Sequence, residues 1–108
     1  MTNTYTLVAD LSCEVETPKN GTLSRTIYQD ERLKAVLFAF SANQELSEHT
    51  ASTPAIMHFL GGEAEVTLGG KKVPASAGAW IHMAAQLPHS IRTKTPVEML
   101  LLLLKDES

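Results

Sequence analysis

Hydrophobic and polar positions alternate with a period of two through much of this chain, and turn residues cut the alternation at short intervals. The clearest case is 63–68. There Ala64, Val66 and Leu68 fall on one side, and Glu63, Glu65 and Thr67 on the other, giving one buried and one wet face of a strand. Gly69-Gly70 follows as a hairpin turn, with 71–75 as the return strand. Pro74 cannot donate to a ladder, which places that strand at an edge or a bulge. Upstream, 5–9 reads as a short edge strand. Asn20-Gly21 is a turn signal, and 22–28 is rich in β-branched and aromatic residues. A charged turn at 29–32 leads into 33–40 (L-K-A-V-L-F-A-F). That run suits either a buried helix or a strand covered on both faces. It reads as a strand because its surroundings are punctuated at strand length.

Further strands are predicted at 55–60, at 79–83 after Gly78, at 89–94 after a loop at 84–88, and at 97–105 after Pro96. The run 99–104 is apolar on both faces, so both should be covered, one by the core and the other by a partner subunit. About eight to ten short strands without a strong helix signal mean a β-sandwich or barrel.

The length of 108 residues fits one domain, 1–108, with one modest core. With 44% hydrophobic and 19% charged residues, the chain has the balance of a folded protein rather than a disordered one. The net charge is −3 and the nine basic residues are scattered, so no nucleic-acid surface is indicated. A single cysteine, Cys13, can form neither an intrachain disulfide nor a thiolate metal site. The N-terminal residues lack the basic and apolar regions of a signal peptide, and no apolar run approaches the roughly 20 residues that span a bilayer. The expectation is a cytoplasmic protein with no membrane partner.

The stretch from Leu46 to His89 carries a family resemblance. Residues 42–49 (A-N-Q-E-L-S-E-H) approach a histidine, 59–66 (F-L-G-G-E-A-E-V) form a Gly-punctuated strand pair, and 78–89 (G-A-W-I-H-M-A-A-Q-L-P-H) run from a glycine to a second histidine. Together these resemble the two motifs of the small single-domain cupins (the RmlC-like superfamily), over roughly 33–104. The resemblance implies an all-β fold, the cupin double-stranded β-helix, a jelly-roll barrel of two antiparallel sheets. It also implies a homodimer, because small cupins commonly pair through sheet surfaces.

The family holds a divalent transition metal (Zn, Ni, Fe, Cu or Mn) on three histidines and a glutamate. His49 matches the first histidine and His89 the third. The second histidine falls at Ala51 and the glutamate at Ala55, neither of which can bind a metal. The Pro and Gly of the second motif fall near Ala84 and Gln86, and its Asn near Thr93. His49 and His89 are therefore the metal candidates, with low occupancy expected, since catalytic sites usually have three protein ligands.

Two functions remain open. The first is a small-molecule-binding or sensing cupin with a degenerate metal site. Its pocket would be walled by Met57, Phe59, Trp80, His82 and Met83, matching the mostly apolar lining of such sites. The second is a metal-dependent enzyme acting on a small organic or sugar-derived substrate, with the ion on His49 and His89. If Ala55 faces inward, Met57 and Phe59 share its side and His58 points away. His82 and Trp80 share one parity whose direction the sequence leaves open. No Ser-His-Asp order, phosphate loop or CxxC pair is present.

Overall fold

The computed structural model describes residues 4–105. Its nine strands are β1 (Thr22–Gln29), β2 (Leu33–Phe40), β3 (Glu45–His49), β4 (Ala55–Gly61), β5 (Glu63–Leu68), β6 (Lys71–Ser76), β7 (Trp80–Met83), β8 (His89–Thr93) and β9 (Val97–Leu104). They form two antiparallel sheets, one ordered β1-β2-β9-β4-β7 and the other β3-β8-β5-β6. The described residues contain no α-helix. The segment 5–9, expected as a strand, is irregular, and a 3-10 turn follows it at Leu11–Cys13. Its apolar side chains do not find a core, and Tyr5 and Leu7 are each 76% exposed.

Register explains which residues meet. In the five-stranded sheet, Val36, Leu101, Met57 and Ile81 make one inward row. Phe38, Met99 and Phe59 make the next, and Phe40 lies beside Val97. From the second sheet Leu46, Ile91, Val66 and Val73 point in, alternating with the outward Glu45, Arg92, Glu65 and Lys72. The core cluster joins both sheets through Phe40, Met57, Phe59, Val66, Ile91 and Met99. Fully burying side chains of this size contributes about 1.5–3 kcal/mol each.

The run 33–40 is β2, a strand covered on both faces: Phe40 is buried on the inner side, and Leu37 and Ala39 are buried on the outer. The outer cover comes from the N-terminal segment, which crosses this sheet. Arg25 on β1 donates to the Glu14 carbonyl at 3.0 Å, and Tyr5, Val8 and Leu11 face Ile27, Tyr28, Leu33 and Leu100 across a cleft of about 580 Å³. This segment of the same chain, rather than a partner alone, covers part of β9's outer face.

The turn between β1 and β2 is held by Asp30. Its Oδ1 accepts from the backbone N–H groups of Arg32 and Leu33, both at 2.8 Å, and its Oδ2 accepts from Tyr28 Oη at 2.7 Å. The tyrosine hydroxyl, followed by the two backbone amides, holds the Asp30 carboxyl below the ordinary carboxylate value. Pro74 sits on β6, an edge strand, where its missing donor costs nothing.

Candidate functional site: a histidine pair at one end of the barrel

His49 ends β3 and His89 opens β8, and the two are directly paired across the strands. Their ring centroids lie 4.2 Å apart with the planes at 60°. Two residues separated by forty positions are thus brought into ring contact by one register.

A bulge makes this possible. Leu46 pairs with Ile91 and His49 with His89, so β3 spends one more residue than β8 over the same stretch. Without that extra residue, parity would turn Glu48 inward and His49 outward. With it, the imidazole faces its partner and Glu48 is left exposed to solvent.

Each ring is fixed by its own chain. His49 Nδ1 lies 2.8 Å from the Ser47 carbonyl oxygen, and His89 Nδ1 lies 2.9 Å from that of Leu87. A carbonyl only accepts, so in the neutral rings both protons sit on Nδ1 and both Nε2 atoms carry a lone pair. His89 is 6% exposed while His49 is open to water, so the pair runs from the surface inward.

Short loops tie the pair to the other sheet. Residues 50–54 lead from His49 to Ala55, and 84–88 lead from Met83 to His89. Ala55, Met83 and Leu103 form the inner row at that end. The two loops are joined by the Gln86 N–H donating to the Ala51 carbonyl at 2.8 Å. Gln86 adopts φ 68°, a left-handed conformation in the place where the family motif has glycine. Thr93, at the family's Asn position, is buried. Its hydroxyl donates to the Ser41 carbonyl at 2.8 Å and accepts from the Gln44 N–H at 2.9 Å, fastening the start of β3 to β8.

The other site candidates separate into two groups. Met57, Phe59 and Met83 are interior residues, each at most 2% exposed and part of the core cluster. Trp80 and His82 cannot wall that interior. Ile81 and Met83 take the inward positions of β7, so strand parity turns Trp80 and His82 to the outer face, where Trp80 is 59% exposed. His58, paired with Trp80, also points outward, as its parity with Ala55 indicated.

Ala51 and Ala55 present methyl groups or backbone where the family places a histidine and a glutamate. Among the described residues no three His, Cys, Asp or Glu side chains gather to hold a metal ion. Two imidazole nitrogens fall short of the three protein ligands of a catalytic centre, so the residues present do not fit the family's complete metal site.

The model of the cupin domain family matches residues 36–104. The chain belongs to the cupin family. This cupin resembles a conserved protein of unknown function from Streptococcus pyogenes, with a TM-score of 0.84 and 30% identity over 100% of this chain and 93% of that one. It also resembles a cupin superfamily protein from Desulfitobacterium hafniense, with a TM-score of 0.84 and 27% identity over 89% and 88% of the two chains. An RmlC-like cupin from Desulfovibrio desulfuricans, at 24% identity and a TM-score of 0.76 over 96% and 97%, shares the fold. No curated protein matches the sequence. No helix among the described residues is long and apolar enough to cross a membrane.

Proposed function

We propose that this cupin is a homodimeric small-molecule-binding or sensing protein whose ligand is held at the His49–His89 end of the barrel. The observation that carries the reading is the histidine pair itself, with each Nδ1 beside a carbonyl, which in the neutral ring leaves Nε2 as the acceptor nitrogen. Such a pair offers two acceptors, one open to water and one sheltered. A ligand with an acidic O–H or N–H group and an apolar body matches that arrangement, since ligand sites combine apolar walls with a few placed polar groups. His49 would meet the ligand first, and His89 would take the inner hydrogen bond. The methyl of Ala55, where the family has a carboxylate, makes the same end less polar.

One observation favours a second reading. Histidines that bind metals usually donate the other ring N–H to a carbonyl or carboxylate, as both do here. A divalent ion on the two Nε2 atoms would act as a Lewis acid in a metal-dependent enzyme. The missing third ligand places this second.

The test is thermal unfolding against small carboxylic acids, phenols and enols, with and without zinc, for wild type, His49→Ala and His89→Gln. Binding to the folded state must raise the melting temperature. The reading predicts a metal-independent rise in wild type that both variants lose. A rise that occurs only with zinc present would move the function to the metal-dependent enzyme.

A further inference from the structure

His89 has His49 of β3 on one side and Leu68 of β5 on the other. Leu68 offers the ring no side-chain acceptor. Which ring nitrogen of His89 keeps the proton is therefore decided at the Leu87 carbonyl, 2.9 Å from Nδ1, because the tautomer follows the hydrogen bond that one nitrogen makes.

That carbonyl is fastened from several directions. The Leu87 N–H donates to the Ala84 carbonyl at 3.3 Å, and the Leu87 side chain packs against the core cluster. Within 84–88 Leu87 alone is not exposed, so its side chain anchors the loop. One residue back, the Gln86 N–H reaches the Ala51 carbonyl, just beyond His49. One residue on, the Pro88 carbonyl accepts from the Gly69 N–H at 2.8 Å. Gly69 belongs to the β5–β6 turn, and a Cβ there would lie 3.3 Å from Leu87 Cδ1, so the leucine is seated on that turn. The counterpart at His49 is built differently. Its Nδ1 also faces a carbonyl two residues back, but that residue, Ser47, is exposed and lies in the β3 bulge.

We propose that Leu87 is a positioning residue of the histidine pair: its anchored carbonyl holds the His89 proton on Nδ1 and keeps the sheltered Nε2 as an acceptor. This rests on the ligand-binding reading above. A loop that drifts loses the bond, and the proton is then free to move to Nε2, which turns the inner acceptor into a donor. The same end of the barrel would then reject a ligand that presents an O–H. Leu87 thus sets the kind of ligand group the pair accepts without touching the ligand itself.

The experiment records the imidazole nitrogen resonances by NMR at alkaline pH, where both rings are neutral. It uses wild type, Leu87→Ala and the volume-conserving Leu87→Met, with circular dichroism as the check on folding. Wild-type His89 should show a protonated Nδ1 and a lone pair on Nε2. Leu87→Ala should move proton population to Nε2 at His89 and leave His49 unchanged, and Leu87→Met should keep the wild-type pattern. Phenol, an O–H donor, should bind Leu87→Ala about tenfold or more weakly than wild type at neutral pH. A wild-type His89 with its proton on Nε2 overturns the proposal whether or not the variants fold. So does a folded Leu87→Ala whose His89 tautomer is unchanged. A tautomer change at His89, in a protein whose melting temperature no carboxylic acid, phenol or enol raises, upholds the positioning and overturns the ligand-binding reading alone.

Discussion

Adding one methyl group at Gly62 tests the packing of the β4–β5 corner, and Gly70 supplies the control. The two glycines have nearly the same φ, 88° and 87°. An L-residue in this region costs about 1–2 kcal/mol, offset by about 0.4–1 kcal/mol because alanine restricts the unfolded chain. Both substitutions share that difference, which leaves Gly70→Ala about 1 kcal/mol less stable than wild type. They part in their surroundings. A Cβ at Gly70 meets nothing within 4 Å. At Gly62 it would lie 2.0 Å from the Pro96 carbonyl oxygen and 2.8 Å from Val97 Cγ2.

The Pro96 carbonyl is backbone and cannot swing aside, so the chain between β8 and β9 must move. That segment is tied to Glu63, whose carbonyl accepts from the Lys94 N–H at 2.9 Å and whose N–H donates to Thr95 Oγ1 at 2.9 Å. Forced overpacking costs a further ~1–3 kcal/mol. Gly62→Ala should therefore lose about 2–4 kcal/mol in urea unfolding. In a domain of this size each kcal/mol moves the melting temperature by roughly 4–8 °C. Gly61→Ala, with no neighbour within 4 Å, is the second control. If Gly62→Ala and Gly70→Ala unfold within about 0.5 kcal/mol of each other, below the overpacking cost, the corner is not packed as described.

Four further outcomes are expected. Gln86→Gly relieves the left-handed strain while keeping the N–H that reaches Ala51, and should stabilise the protein by roughly 0.5 kcal/mol net of glycine's entropy, read by urea unfolding. Thr93→Val leaves the Gln44 N–H and the Ser41 carbonyl without their hydroxyl partner and should cost about 1–3 kcal/mol; hydrogen exchange should quicken at Gln44. Ala51→His with Ala55→Glu restores the family's two missing ligands; the pair should lower stability in chelator, because Ala55 is 2% exposed, and recover it with nickel or zinc, while wild type shows no such recovery. Asp30's carboxyl is held below its ordinary value in the fold, so its contribution is present at neutral pH and is lost as pH falls below that value toward the folded one; Asp30→Asn should flatten the decline in stability through that acid window.

The strands were legible because a period of two survives in a short sequence. Glu63 to Leu68 and Leu33 to Phe40 begin and end where the pattern and its turns placed them. β3 was harder, since its bulge breaks the alternation just before His49 and no local residue type announces it. The segment 5–9 failed for the opposite reason. It has strand composition, but no neighbouring strand pairs with it among the described residues. The histidine pair was legible only as a resemblance of spacing; its ring contact depends on the β3–β8 register and on the bulge between Leu46 and His49, which spacing alone does not display. The sequence leaves the facing of Trp80 and His82 open because a four-residue strand is too short to reveal it, and the structure turns both away from the interior where a pocket wall would need them. That direction is fixed by Met83 and Ile81 packing into a core the sequence does not display.

In the proposed function His49 and His89 form one ligand-binding pair rather than part of a complete metal centre. Elemental analysis tests it most directly, on untagged protein purified without chelator, for wild type and the His49→Ala/His89→Ala double variant. Well below one transition metal per chain is expected in wild type, unchanged in the variant. One metal per chain in wild type, lost in the double variant, would contradict it.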